Sequence, residues 1–300
     1  MSIIKCQQLS KSYNGKSVLN NINIELNAGA PIALVGPNGA GKTTLFSMLC
    51  GYIKPSSGTI QILDLPIGST KLQGKLSALP QDAQLDPDCT IISQLILFAQ
   101  LQGIKGKAAK VEAMRVLELV DLVNVAKSKP KSLSHGMGKR VAIAQALIGS
   151  PQLVLLDEPT AGLDPANAKK IRQIVKQQSD KTTFMISSHN LDELEKLCDQ
   201  VLYLENGELK QSVSMQSNQD TEFLTIVMKK ADPSSVHQAL LGLAYVIAVK
   251  QSGDDQFIIE YPRQPNFSLE QQLLSLLAQH NWQYKTLLKG RTLEDTLFSY

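Results

Sequence analysis

The sequence predicts an α/β protein with a parallel sheet, followed by a smaller α+β domain. A glycine-rich loop lies between a short apolar run and a helical stretch, and further apolar runs end in polar or acidic residues. Both observations are typical of parallel sheets that bind ligands at the carboxyl ends of their strands. After residue 220 the pattern restarts in the order β-α-β-β-α-β, which is the order of the ferredoxin-like arrangement.

The start of the chain, residues 1–30, predicts paired strands. Between residues 18 and 26 apolar side chains alternate with polar ones, as in a strand that buries one face. Tyr13 comes just before Asn14-Gly15, which is a strong turn signal. From these residues alone, Tyr13 is better explained as an aromatic that covers a hairpin edge than as a platform for a flat base.

The loop at residues 36–44 matches the phosphate-binding pattern G-x-x-x-x-G-K-[ST] at every position, which disfavours an ordinary glycine-rich turn. Backbone N–H groups of such a loop and of the helix after it attract a triphosphate. Lys42 is placed to reach the β- and γ-phosphates, and the Thr43 hydroxyl is placed to ligate Mg²⁺. The predicted phosphate-binding residues are Gly36, Pro37, Asn38, Gly39, Ala40, Gly41, Lys42, Thr43 and Thr44.

Two carboxylates follow the apolar run at residues 153–156, which predicts a buried strand with acids at its carboxyl end. We expect Asp157 to hold Mg²⁺ directly or through water, and Glu158 to orient and deprotonate an attacking water. Two solvated acids in a loop are the alternative, and the phosphate loop upstream disfavours it. His189 follows a further apolar run and is placed to hydrogen-bond a γ-phosphate.

The region between these strands predicts helices, because apolar residues recur at helical spacing between residues 108 and 123. These helices either pack in the core or form a docking surface for a partner, and the sequence is compatible with both interpretations. Ser134 precedes a predicted helix at 139–148 and is an N-cap or part of a phosphate-binding helix start; in isolation the N-cap is favoured. Gln81 ends a short predicted strand, and its position alone predicts only a solvated loop residue.

Composition narrows the function classes. Hydrophobic residues are 43% and charged residues 19%, as in globular proteins, and a net charge of +3 with 5% aromatics predicts no nucleic-acid partner. No apolar run approaches the ~18–20 residues that span a bilayer, and residues 1–7 lack the apolar core of a signal peptide. The cysteines are widely spaced, which predicts reduced thiols in the cytosol. They are Cys6, Cys50, Cys89 and Cys198.

The polar stretch at 214–220 predicts a linker between a triphosphate-binding domain at 1–213 and an accessory domain at 221–300. No catalytic constellation is visible in the second domain, where His237 and His280 are expected to be structural. A dimer-stabilising or regulatory role is the hypothesis for it. Deleting residues 214–300 should then weaken assembly or control, and a loss of all ATP binding in a folded truncation would contradict that hypothesis.

In this order the motifs resemble those of the ATP-binding subunit of an ATP-binding-cassette (ABC) transporter, over about residues 1–210. The resemblance implies a P-loop NTPase fold of the ABC ATPase type, with an antiparallel β subdomain and a helical subdomain at about 88–150. It also places Tyr13 where the family stacks an aromatic on adenine, which reverses the local interpretation. The matches are Walker A at 36–44, the Q-loop Gln81, the signature at 133–137, Walker B at 153–157 with the catalytic-base position Glu158, the D-loop at 161–164 and the switch histidine His189.

The resemblance implies a head-to-tail dimer with a second copy or a related ATPase subunit, with ATP and Mg²⁺ held between the subunits. Ser134, His135 and Gly136 of one subunit would then lie on the nucleotide of the other, as would Asp164. The implied catalytic residues are Lys42, Gln81, Glu158 and His189, and the implied metal ligands are Thr43, Gln81 and Asp157.

The implied partner is a separate integral-membrane permease, through which the chain would be peripheral on the cytoplasmic face of the cell membrane. The ending at 292–298 is similar to endings of ABC-2-type exporter ATPases, which favours export. A soluble ABC ATPase that acts on ribosomes or DNA is the alternative, although one cassette without sustained heptads disfavours it.

The signature departs from the family's usual Leu-Ser-Gly-Gly-Gln, because here it is Leu-Ser-His-Gly-Met. His135 adds bulk and a titratable donor, and Met137 removes an amide. We therefore expect slow but real ATP hydrolysis. The same two residues are also compatible with a further alternative, a nucleotide-dependent regulatory protein that hydrolyses little ATP.

Overall fold

The computed structural model describes residues 2–188, 191–195, 197–198, 200–214, 221–263, 268–291 and 295. It divides the chain into two compact units, residues 1–213 and 214–300. The expected switch histidine, His189, lies outside the described residues, as do 215–220 of the expected linker and all of the ending at 292–298 except Asp295. Ser214, expected to begin the linker, instead ends a strand.

The first unit contains two sheets with helices between their strands. In chain order its described strands are β1 (Ser2–Tyr13), β2 (Lys16–Asn27), β3 (Ile32–Val35), β4 (Ser57–Ile62), β5 (Leu65–Pro66), β6 (Leu76–Leu79), β7 (Leu153–Asp157), β8 (Thr183–Ser187), β9 (Gln200–Glu205) and β10 (Glu208–Ser214). Its described helices are α1 (Lys42–Leu49), α2 (Ile91–Leu101), α3 (Gly106–Leu119), α4 (His135–Ala146), α5 (Pro165–Gln178) and α6 (Leu191–Glu195), with 3₁₀ turns at Thr70–Leu72, Val123–Val125 and Pro130–Ser132.

An antiparallel sheet forms from the described strands in the order β2-β1-β4-β5. β1 and β2 are joined at Asn14-Gly15, where φ is 48° and 81°. Positive φ at both central residues is what a tight hairpin turn needs, and Asn-Gly accepts it readily. Tyr13 pairs with Lys16 across this turn. The predicted hairpin is therefore present, with Tyr13 at its end.

The second sheet has the described order β10-β9-β3-β8-β7-β6, in which β3 runs parallel to β8 and β9, and β7 runs parallel to β6 and β8. Every residue of β3, β7 and β8 is buried. Such fully buried strands are typical of a parallel sheet covered on both faces. Consequently the carboxyl ends of β3, β7 and β8 lie side by side, as the sequence predicts.

The helical subdomain consists of α2, α3 and α4, whose apolar faces are buried. On α3, Arg115 makes two hydrogen bonds of 2.7 and 2.6 Å to Glu112 and a third of 3.1 Å to the carbonyl of Leu147. Glu112 also accepts the N–H of Gly149 at 2.7 Å. The hydrogen bond from Arg115 lowers the pKa of Glu112. This ion pair therefore joins α3 to the end of α4.

The start of α4 differs from the prediction. The helix begins at His135 rather than at residue 139, because the Ser134 hydroxyl accepts the N–H of Met137 at 3.3 Å and caps it. The side-chain cap satisfies a backbone donor that the first helical turn leaves free. The last three signature residues, His135 to Met137, therefore form the first turn of α4, and Ser134 is its N-cap.

The second unit contains β11 (Thr221–Lys229), α7 (Pro233–Leu241), β12 (Ala248–Ser252), β13 (Gln256–Pro262), α8 (Leu269–Gln279) and β14 (Gln283–Lys289). Its described strands pair antiparallel in the order β12-β13-β11-β14. This order with two helices is the ferredoxin-like topology, as predicted. Its core includes Leu224, Phe257 and Leu273. β12 begins only at Ala248, since Tyr245 before it has a φ of 66° that interrupts an extended chain.

None of the helices in the described ranges is long and apolar enough to cross a bilayer.

Candidate functional site

A cleft of about 580 Å³ lies at the carboxyl ends of the central parallel strands. It joins the glycine loop to the acids that follow β7 and to the glutamine that follows β6. Half of the candidate site residues, nine of eighteen, therefore line one cavity. Its lining residues are Val18, Asn38, Gly39, Gly41, Lys42, Thr43, Thr44, Gln81, Asp157 and Glu158.

Close packing requires two of the loop's glycines, Gly36 and Gly41. A Cβ on Gly36 would lie 2.0 Å from the carbonyl oxygen of Leu204, far inside contact distance. Gly41 has a φ of 104°, and a Cβ there would lie 2.7 Å from Cδ2 of Leu19. The loop thus packs tightly against β9 and β2, and Ala40 within it is buried.

Lys42 opens α1 and points back into the loop. Its Nζ donates to the carbonyl oxygens of Gly36 at 2.7 Å and Pro37 at 3.1 Å, and the residue is only 9% exposed. No side chain caps the start of α1. The N–H groups of the first turn are then available to an anion, and the positive end of the helix dipole reinforces the lysine charge. This end of the cleft is therefore suited to a phosphate chain.

Asp157 and Glu158 are both buried and are joined by a third residue, Ser187 at the end of β8. The Ser187 hydroxyl donates a short hydrogen bond to Oδ1 of Asp157 and accepts the N–H of Glu158 at 2.9 Å. Glu158 has a φ of 48°, in the left-handed region that is unusual for a residue with a side chain. Such a conformation at a carboxylate is a frequent feature of functional sites.

Gln81 lines the cleft and is tied to the helical subdomain. Its carbonyl oxygen accepts a hydrogen bond of 2.7 Å from Nζ of Lys139 on α4. Burial lowers the pKa of this ammonium, and the nearby Asp82 carboxylate partly opposes the shift. On α2, the buried side chain of Gln94 accepts the N–H of Asp86 at 2.8 Å. The segment after Gln81 is therefore attached at two points to the helices.

The signature residues and Asp164 do not line this cleft. A Cβ on Gly136 would lie 2.5 Å from Cγ of Asn167, so the start of α4 packs on the start of α5. Asp164 caps α5 by accepting the N–H of Asn167 at 2.9 Å and its side-chain amide at 2.7 Å. These hydrogen bonds lower the pKa of Asp164. Ser134, His135, Gly136 and Asp164 thus form a second cluster on the same unit.

Tyr13 also stays outside the lining of the cleft. It is 42% exposed, and Nζ of Lys11 lies 4.8 Å from the centre of its ring. Val18, on the partner strand of the same hairpin, does line the cleft. The sequence analysis did not single out Val18, Lys139 or Ser187. An apolar residue after an Asn-Gly turn was a signal for the first, but the other two depend on contacts between distant segments.

Oxygen donors for Mg²⁺ are present in the cleft, namely the Thr43 hydroxyl, the Gln81 amide and the Asp157 carboxylate. Among the described residues no group of three or more His, Cys, Asp or Glu could hold a metal ion. Magnesium usually binds one or two protein oxygens and takes the remaining ligands from phosphates and water. The residues therefore fit Mg²⁺ bound together with a nucleotide.

The relatives found by comparison with known proteins are ATP-binding proteins, and the matching family model is that of ABC transporters. A family model described as ABC transporter matches residues 19–161. YcbN of Bacillus subtilis (strain 168), described as an uncharacterized ABC transporter ATP-binding protein, is 36% identical over 231 residues, 75% of this chain and 74% of YcbN. The linearmycin resistance ATP-binding protein LnrL of the same strain is 35% identical over 210 residues, 69% and 68% of the two chains. Nod factor export ATP-binding protein I of Burkholderia orbicola (strain AU 1054) is also 35% identical, over 68% of each chain.

Solved structures agree with these relatives. The dimeric structure of an ATP-binding cassette in a post-hydrolysis state, bound to ADP and Pi, superposes with a TM-score of 0.65 at 26% identity, over 72% of this chain and 100% of that chain. The ATP-binding subunit of an ABC transporter gives a TM-score of 0.65 at 27% identity, over 71% of this chain and 90% of the other.

Proposed function

Because this chain belongs to the ATP-binding proteins of ABC transporters, a family of ATPases, we propose that it powers a separate integral-membrane permease by hydrolysing ATP. The cleft that combines the glycine loop with Asp157 and Glu158 carries this proposal. Export is the direction we infer, since one relative is named for Nod factor export and another for linearmycin resistance. The alternative, a soluble ABC ATPase that acts on ribosomes or DNA, is not favoured, because the relatives are named as transporter proteins.

The chain's own residues divide the chemistry between them. Lys42 and the N–H groups of the loop bind the phosphates, while Thr43, Asp157 and Gln81 would hold Mg²⁺. Bound magnesium would neutralise charge on the phosphates. Glu158 orients a water and accepts its proton as the water oxygen attacks the γ-phosphorus. The bond from the γ-phosphorus to the β–γ bridging oxygen breaks, and that oxygen leaves with ADP. The products are ADP and inorganic phosphate.

We infer that a second subunit completes each site, either another copy of this chain or a related ATPase. Ser134, His135, Gly136 and Asp164 lie away from the cleft of their own subunit. A helix start capped by Ser134 is suited to a γ-phosphate presented by a neighbouring molecule. The solved cassette that is dimeric and bound to ADP and Pi supports this arrangement.

For the permease we propose a docking position beside Gln81. A second cavity of about 510 Å³ adjoins the nucleotide cleft and shares Thr43, Gln81 and Asp157 with it. Apolar side chains dominate the remainder of its lining, and Tyr52 at its edge is 64% exposed. Attachment there would hold the chain at the membrane. The proposal predicts that the chain co-purifies with a polytopic membrane protein, and that Tyr52→Asp reduces this association and leaves ATP binding intact.

Phosphate release from Mg-ATP tests the proposed reaction. Glu158→Gln should lower turnover by about 10²-fold or more and leave the affinity for ATP within a few-fold, since only proton transfer is removed. Glu118→Gln is the matched control, because Glu118 is an exposed acid on α3 outside the cleft. Wild-type turnover in the Glu158 variant would refute the assignment of Glu158, and no hydrolysis by the wild-type chain with its permease would refute the proposed function.

A further inference from the structure

We propose that Ser187 is a positioning residue that holds Asp157 and Glu158 in their working orientations through one hydroxyl group. The inference rests on the proposed function, which gives these two carboxylates their roles. Ser187 is the last residue of β8 and is fully buried, with 0% exposure. It lies directly opposite Asp157 in the parallel pairing of β7 with β8.

The hydroxyl makes both of its hydrogen bonds to the carboxylate segment. It donates to Oδ1 of Asp157 and accepts the N–H of Glu158 at 2.9 Å. A carboxylate only accepts and a peptide N–H only donates, so the hydroxyl proton has one position. With Oδ1 engaged, Asp157 presents Oδ2 to a metal ion or its water. Ser187 thereby selects which oxygen serves the cleft.

The same contact acts on the backbone of Glu158. Its N–H also approaches the main-chain oxygen of Ser187 at 3.2 Å, so both polar atoms of one residue hold this peptide. The φ of 48° at Glu158 persists only where surrounding contacts maintain it. Without the hydroxyl, Glu158 is free to relax toward ordinary backbone angles. Its carboxylate then spends less time where the attacking water must be held.

A buried serine that merely satisfies its own hydrogen bonds would affect stability alone. Thr182, just before the other end of β8, provides the comparison. It is also buried, and its hydroxyl donates to the carbonyl oxygen of Pro151 at 2.8 Å, away from the cleft. Loss of either hydroxyl removes a buried hydrogen bond, but only the loss at Ser187 reaches the carboxylates. Ser187→Ala and Thr182→Val are therefore matched variants.

The test measures turnover, nucleotide binding and thermal unfolding of the full chain. Residues that orient a metal ligand typically matter by about 10- to 100-fold, so Ser187→Ala should lower kcat by about 10-fold while KM for ATP stays within about 2-fold. The Mg²⁺ concentration that half-saturates binding of fluorescent TNP-ATP should rise by about 3-fold or more, a readout without turnover. Ser187→Thr should restore both values, and Ser187→Cys, with its weaker donor, should fall between them.

Thr182→Val should lower the unfolding temperature without changing kcat or the Mg²⁺ requirement. The inference would be overturned if Ser187→Ala had the same kcat and Mg²⁺ requirement as Thr182→Val. Should the alanine variant not fold, a Ser187→Cys variant with the kcat and Mg²⁺ requirement of the wild type would overturn it instead. Failure of the proposed function has a different signature. In that case the wild-type chain with its permease would not hydrolyse ATP, or Glu158→Gln would hydrolyse it at the wild-type rate.

Discussion

At the residue scale, His135 is the feature that most distinguishes this site. It stands in the first turn of α4, and its Nε2 lies only 3.6 Å from where a Cβ on Gly162 would be. The imidazole therefore fills space between the signature and the turn that leads into α5. A phosphate that approaches the N–H groups of this turn from a second subunit would meet the ring.

We expect His135→Gly to raise turnover by about 3- to 10-fold, because removal of the ring lets the phosphate come closer to the N–H donors of α4. The measurement is kcat at saturating Mg-ATP, with the unfolding temperature recorded to control for the added flexibility. Met137→Gln serves as the matched variant, since it changes the signature without opening this space. An unchanged or lower kcat in His135→Gly would show that the ring does not limit the reaction.

Residue types alone were sufficient to predict Lys42, Thr43, Asp157 and Glu158 as neighbours, since each follows or precedes a short apolar run at one sheet edge. The role of Ser187 could not be predicted from the sequence, for a physical reason. Its role depends on the register that places it opposite Asp157, and a strand buried along its whole length carries no polar–apolar alternation from which register can be read.

At the element scale, the start of α4 decides how the signature meets the rest of the subunit. Gly136 packs so closely on the side chain of Asn167 that a Cβ on Gly136 would have no room. The same Asn167 side chain donates a hydrogen bond to Asp164. Gly138, two residues later on the same helix, has nothing within 4 Å of an added Cβ. The two glycines therefore have different reasons to be there.

Gly138→Ala should raise the free energy of unfolding by about 1 kcal/mol, because alanine is a better helix former and no atom stands in its way. Gly136→Ala should lower it, because Asn167 must leave its contact with the α5 cap. Urea denaturation of the two variants measures both changes. A loss of stability in Gly138→Ala equal to that in Gly136→Ala would contradict the packing described for α4.

Element boundaries were predictable where turn residues were strong, as at Asn14-Gly15 between β1 and β2. The start of α4 was missed because His135-Gly136-Met137-Gly138 contains two poor helix formers, and the Ser134 cap outweighs them. The link from Lys139 to the carbonyl of Gln81 joins residues far apart in sequence, and no local pattern marks it.

At the scale of the whole molecule, each unit has its own core, and the match to the ABC transporter family model, residues 19–161, lies within the first. The order of motifs was enough to predict the ABC ATPase fold, and the relatives and solved cassettes confirm it. The family is recognisable because phosphate binding constrains backbone and residue type together.

The central claim is that ATP is held between the glycine loop of one subunit and Ser134, His135 and Gly136 of another. Light scattering on the Glu158→Gln chain, with and without Mg-ATP, tests it most directly, because blocked hydrolysis should preserve the ATP-bound assembly. We predict a monomer without ATP, a dimer with ATP, and a monomer that still binds ATP when Ser134→Arg is added. ATP-bound Glu158→Gln chains that remain monomeric, or a double variant that dimerises equally well, would contradict the claim.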